Sequence, residues 1–176
     1  MVVVSTEYLT KKDIALLKKY SRFVLNKFVR KSTQNNSRIN IKIVSPDDLN
    51  DTIDVDDLRK YRAWCTYDYV MEGKKYFSII LNAKQLNKKA KKPQVRLKKL
   101  LIDLGHELVH IKQYLNNEIF DYKSGDIRYK GSYFDSSYAE NEELYYDSPW
   151  EVEAYGREWG LYVMFCKKLK QEQLKN

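Results

Sequence analysis

Pro93-Gln-Val-Arg-Leu-Lys-Lys-Leu-Leu-Ile-Asp-Leu-Gly-His106-Glu107-Leu-Val-His110-Ile-Lys-Gln-Tyr-Leu-Asn-Asn117 contains both histidines of the chain, four residues apart. Leu97, Leu101, Leu104, Leu108, Ile111 and Leu115 recur at steps of four and three, the spacing of one apolar helical face. Pro93 suits a first turn, where its missing N–H is not needed. The stretch therefore reads as a helix over 93–117. On its wheel His106 and His110 project roughly opposite the leucine stripe, with Ile102 and Gln113 nearby. Side chains at i and i+4 stack one turn apart, so two imidazole nitrogens can converge on one metal ion at about 2.0–2.1 Å. Glu107 is placed to take a proton from a metal-bound water, whose pKa zinc lowers to about 7. His106-Glu107-Leu108-Val109-His110 is thus an HExxH zinc-site signature. The plainer alternatives are a hydrogen-bonded histidine pair without metal and a degenerate site that binds metal without catalysis.

Two histidines do not complete a catalytic zinc site, which takes three protein ligands and leaves one position open. A third imidazole is excluded, because Gln113 and Asn116 occupy the positions that HExxHxxGxxH gives to glycine and histidine. The third ligand is expected to be a carboxylate. Candidates lie in Ser148-Pro-Trp-Glu151-Val-Glu153-Ala-Tyr155-Gly-Arg157-Glu158, at the start of a helix expected from Pro149 to about Lys170. Glu151 has a competing role, since Ser148-x-x-Glu151 is also a capping box with proline at the first helical position. Glu153 is the alternative ligand, with Gly156 and Gly160 forming a small-residue face beside it where another helix can approach.

Upstream, Thr10-Lys-Lys-Asp13 resembles a capping box that starts an amphipathic helix running to about Lys31 through Ile14, Leu17, Val24 and Phe28. Arg38-Ile-Asn-Ile-Lys-Ile43 alternates as a half-buried strand does. An acidic connection from Ser45 to Asp57, with room for one helical turn, leads to two β-rich runs, Arg62–Val70 and Lys75–Leu81. Met71-Glu-Gly-Lys74 joins them as a hairpin. Residues 118–147, rich in tyrosine, read as an ordered loop with a short hairpin. The expectation is one α+β domain over 1–176: a small mixed or antiparallel sheet packed on an N-terminal helix, the HExxH helix and a C-terminal glutamate helix.

The chain has 176 residues, 43% of them apolar and 14% aromatic, which is globular composition. No stretch approaches the ~18 apolar residues of a membrane span, and the first residues are too short an apolar run for a signal peptide. A soluble cytoplasmic protein with no membrane partner is expected. Cys65 and Cys166 have no CxxC pairing and read as reduced, small apolar residues that do not bind the metal. The net charge of +8 is uneven: residues 73–102 hold no acidic residue, and lysines crowd 84–99. A solvated lysine face accounts for that run. The rival reading makes the chain a non-catalytic, metal-containing protein that docks on nucleic acid or an acidic partner through 84–99.

Glu151-Val-Glu-Ala154 resembles the ExxA stretch that follows HExxH in zinc metallopeptidases of the glutamate-zincin type. The whole chain is also similar to small uncharacterised metallopeptidase-like proteins of bacteriophages, in which a PWE-x-EAYGRE segment follows the motif. The resemblance implies a zincin-like fold, Zn²⁺ held by His106, His110 and Glu151, Glu107 as general base, and a tyrosine or Arg157 stabilising the oxyanion. It implies an endopeptidase acting on a peptide or protein in the host cytoplasm. Many relatives carry Asp or Asn after the alanine in support of the site; here that residue is Tyr155. The last strand before the motif, Tyr76–Asn82, would then line the cleft as an edge and pair with an extended peptide. Its alternative is an interior place.

Overall fold

The computed structural model describes residues 2–45 and 62–175. The acidic connection, beyond Ser45, lies outside the described residues. Helix α1, Lys11–Phe28, starts at Thr10, whose hydroxyl accepts from the Asp13 N–H while the Asp13 carboxylate accepts from the Thr10 N–H, a closed capping box. A short helix α2, Lys31–Asn35, turns the chain into strand β2, Ser37–Val44, in which every second residue is buried. Strands β3, Ala63–Met71, and β4, Lys74–Asn82, form the expected hairpin, with Glu72 and Gly73 both at positive φ in its two-residue turn. The turn needs that conformation, which glycine adopts without strain.

Met1-Val-Val-Val carries no strand expectation, yet Val2–Ser5 forms strand β1, paired in parallel with β2. Sheet order is β1-β2-β4-β3, with β2 and β4 parallel and β3 antiparallel to β4. This corrects the expected edge. Tyr76–Asn82 is interior, bonded on both sides, and among the described residues the edge strands are β1 and β3. The mixed sheet follows from the crossover through α1, which brings β2 beside β1 in the same direction.

Ile39, Ile41 and Ile43 of β2 lie in register with Phe77, Ile79 and Leu81 of β4, all at most 3% exposed. They pack on Leu17 and Val24 of α1 and on the leucine stripe of the motif helix. That helix is divided. A short α3, Pro93–Arg96, ends at Leu97, and α4 runs Lys98–Leu115. Leu97, Leu100, Leu101, Leu104, Leu108 and Ile111 are completely buried, each contributing about 1.5–3 kcal/mol.

Residues 118–147 hold more order than a loop. Strands β5, Ile119–Asp121, β6, Ile127–Tyr129, and β7, Ser132–Phe134, form a three-stranded antiparallel sheet, followed by α5, Ser137–Glu140, and α6, Glu142–Asp147. Helix α7, Pro149–Gln173, then packs along α4. Gly156 and Gly160 are not the contact, since a Cβ on either would meet nothing within 4 Å. Close approach falls on α4 instead: a Cβ at Gly105 would lie 2.5 Å from the Tyr20 hydroxyl. Among the described residues no helix is long and apolar enough to cross a membrane.

Candidate metal centre

Asp103, His106, Glu107 and His110 form one stripe of α4, at the three- and four-residue steps that bring side chains to a common face. Helix α7 enters opposite that stripe, and Glu151, in its first turn, projects between the two rings. His106 Nε2 and His110 Nε2 are 3.0 Å apart; the first lies 3.2 Å from Glu151 Oε2 and the second 3.2 Å from Glu151 Oε1. All three residues are buried. With metal–ligand bonds of ~2.05 Å the edge of a tetrahedral site is about 3.3 Å, so the two nitrogens, and each nitrogen with its own carboxylate oxygen, already stand at nearly coordination spacing.

The other ring nitrogens fix the tautomers. His106 Nδ1 is 3.2 Å from Glu158 Oε2, and His110 Nδ1 is 3.0 Å from Gln113 Oε1. The Gln113 amide cannot be reversed, because its Nε2 donates to the Trp150 carbonyl and to Glu153. Both partners are acceptors, so each Nδ1 carries the proton and each Nε2 presents a lone pair. With both imidazoles neutral, two lone pairs and a carboxylate therefore face one point with no donor among them. The arrangement calls for a cation.

Proton affinities express the same demand. Burial alone would lower the pKa of His106, but hydrogen bonds to Glu151 and Glu158 and the charge of Glu107 outweigh it and push the value up to about 10. His110 is raised in the same way, against burial, by Glu151 and Glu107. Glu151, which burial would raise, is held down to about 2 by the two imidazoles. A metal ion can stand in place of those protons. This buried His-His-Glu group could hold one.

Comparison with known proteins finds no matching family model, curated protein or solved structure. The chemistry of the site rests on its own residues.

Glu151 is not the helix cap. Ser148 makes no side-chain capping bond, and its buried hydroxyl has no partner among the described residues. Glu153, the alternative ligand, lies on the other side of α7. Its carboxylate accepts from Lys112 at 2.8 Å, Tyr129 at 2.6 Å and Arg157 at 2.9 Å. Arg157, proposed for the oxyanion, is thereby turned from the site, its guanidinium lying over the Phe28 ring. Tyr155 stacks edge-on against His106, with ring centroids 4.4 Å apart. The polar support expected at that place comes one turn later, from Glu158. Its signal was in the sequence, because seven residues after Glu151 is two turns on and the same face.

A cavity of about 620 Å³ opens above the group. Its walls include Ala63, Trp64 and Cys65 of β3, Glu107, Tyr145 and Tyr155. Cys65 thus borders the centre while also packing against the hydrophobic core. Burial and the neighbouring Glu107, to which its thiol is hydrogen-bonded, keep that thiol protonated. The Glu107 pKa is raised by burial against the pull of the two histidines. Tyr145 reaches Glu151 through its hydroxyl, and burial beside that carboxylate raises its pKa. The basic run stands apart from the cavity walls. Arg96 pairs with Asp13, and Lys98 lies over Trp159.

Proposed function

We propose that the chain is a zinc-dependent peptide-bond hydrolase of endopeptidase type with a zincin-like arrangement. His106, His110 and Glu151 would hold the metal. The carrying observation is the convergence of two Nε2 lone pairs and a carboxylate at 3.0–3.2 Å beside the buried Glu107. Two imidazoles and one carboxylate are a donor set that catalytic zinc uses, and zinc bound there supplies Lewis acidity toward a carbonyl and makes water acidic near neutral pH.

The chain's own groups do the rest. Glu107 removes the proton of the attacking water at its carboxylate and returns it to the leaving amine. Glu158 and Gln113 keep the imidazoles in the tautomer that leaves Nε2 bare. The Tyr145 hydroxyl is the donor proposed for the developing oxyanion, in place of Arg157. An extended peptide would add to the free side of β3 along Ala63–Cys65, where main-chain pairing holds the scissile bond over the group.

The test is metal content with hydrolysis. Purified protein should carry about one zinc per chain, lost in His106→Ala and His110→Ala. Glu107→Gln should keep the zinc and lose roughly 10²–10⁴-fold in cleavage rate on a responsive peptide. Cleavage by Glu107→Gln at the parent rate removes the base from the mechanism.

A further inference from the structure

The chain carries a net charge of +8, yet its cavity is acidic. Beyond Glu107 and Glu151, the carboxylates of Asp103, Asp121, Glu140, Glu142 and Glu158 border it, and among the described lining residues Arg62 is the sole Lys or Arg. Two of these carboxylates are committed within the protein. Glu158 supports His106, and Asp121 accepts from the Tyr114 hydroxyl. Asp103 differs from both. It is 3% exposed, its Oδ1 lies 3.6 Å from an Arg62 guanidinium nitrogen, and its Oδ2 has no hydrogen-bond partner among the described residues.

A buried carboxylate oxygen without a donor is costly and rare in folded proteins, and a bound group that donates to it removes the cost. Asp103 lies one turn before His106 on the stripe that faces the cavity, at the end where Arg62 leads into the edge strand. The Arg62 side chain is 56% exposed and holds Asp103 only at long range, so an incoming cation can displace it. We propose that Asp103 is a specificity-determining residue, the subsite for a lysine or arginine side chain of the substrate peptide. Its Oδ2 accepts from the incoming ammonium or guanidinium as Arg62 moves toward solvent. This rests on the reading of the cleft as a peptide site and adds the substrate class, a basic peptide.

The probe is a fluorescent alanine-based heptapeptide with lysine, arginine, glutamine or glutamate at its centre, titrated against zinc-loaded Glu107→Gln full-length protein, which binds without cleaving. Lysine and arginine peptides should bind about 10–100-fold tighter than the glutamine peptide, the range of a hydrogen bond to a charged group, and the glutamate peptide more weakly still. Adding Asp103→Asn should abolish the preference while zinc content stays at the parent level. Adding Arg62→Gln should tighten the lysine peptide, an opposite sign that a merely structural Asp103 does not produce and that survives if Asp103→Asn fails to fold. Equal binding of lysine and glutamine peptides, or a preference untouched in both variants, overturns the proposal. Cleavage of all four peptides alike by the Glu107 parent leaves the hydrolase standing and removes the subsite. Asp103-dependent lysine binding without any cleavage keeps the subsite and removes the hydrolase.

Discussion

Glu151 and Glu153 stand two residues apart on α7 and face opposite sides of its packing against α4, and their surroundings differ in one respect. Glu153 meets cations supplied by the chain, Lys112, itself 6% exposed, Arg157 and Lys130, and it also accepts from the Tyr129 hydroxyl and the Gln113 amide. These partners, led by the Lys112 hydrogen bond, outweigh its burial and hold its pKa far below the ordinary carboxylate range. Among the described residues Glu151 meets no lysine or arginine, but the Tyr145 hydroxyl and the rings of His106 and His110, whose Nδ1 protons are already given to Glu158 and Gln113. One carboxylate is part of a closed ionic lock that fixes α7 on α4. The other belongs to a group whose charge balance is left for something from outside to complete. A helix can therefore carry a structural and a binding glutamate a turn-fraction apart, distinguished by who provides the positive charge.

The largest effect that tests this contrast is on metal affinity. Glu151→Gln removes a proposed ligand and should weaken zinc binding by well over the 10–100-fold that altering a supporting residue costs, while Glu153→Gln leaves it near the parent value. Competitive chelator titration of the two variants reads the difference, and a reversed order exchanges the two roles. Stability should respond the other way. Glu153→Gln leaves Lys112 buried with Glu118 as its remaining carboxylate, at 2.6 Å, and should cost roughly 2–3 kcal/mol in denaturant unfolding of the metal-free protein. Metal-free Glu151→Gln should cost less in alkaline medium, above the raised His106 value of about 10, where the neutral imidazoles leave the Glu151 carboxylate buried without a cation.

Glu158 sharpens the comparison within the site. Glu158→Gln can still accept from His106 Nδ1 through its amide oxygen but no longer raises the basicity of the ring, so zinc affinity should fall about 10–100-fold with little change in unfolding free energy. A loss as large as that of Glu151→Gln would make it a ligand.

Local periodicity made much of this arrangement visible in the sequence. The HExxH spacing placed both imidazoles and Glu107, the Thr10–Asp13 pair placed the start of α1, and alternation placed β2. What needed the structure was pairing between distant segments. Nothing in Lys75–Leu81 tells whether one neighbour or two will bond to it, and its interior place depends on β2, nearly forty residues earlier. Strand β1 is four residues long and gains its stability from a partner beyond the intervening α1, so its own sequence carries almost no signal. Cys65 packs against the hydrophobic core, as its neighbours Trp64 and Tyr67 suggest, but its contact with Glu107 comes from a separate element and carries no local signal. Ser148-x-x-Glu151 fits a capping box by pattern, yet the glutamate is drawn instead to the histidines across the helix pair.

Acid should give the smallest and cleanest separation between carboxylates that have a protein cation and those that do not. Asp13 belongs with Glu153: burial raises its pKa, but hydrogen bonds from Arg96 and Thr10 outweigh that and leave it below its ordinary value. It lies at the start of α1, far in sequence from the proposed ligands, so its titration can be followed without metal. Because the folded value is lower than the unfolded one, the unfolded chain binds the proton first as pH falls. The stabilisation is complete above the ordinary aspartate range and is lost as pH drops through the depressed folded value. Asp13→Asn keeps an acceptor for the capping box but removes the charge, so it should be less stable than the parent near neutral pH and should approach it as the medium is acidified. A partly exposed ion pair such as Arg96–Asp13 contributes up to about 1 kcal/mol, which sets the scale of the change. Denaturant unfolding at a series of pH values measures it, and a gap that stays constant into acid would mean that the Arg96–Asp13 pair contributes through shape alone.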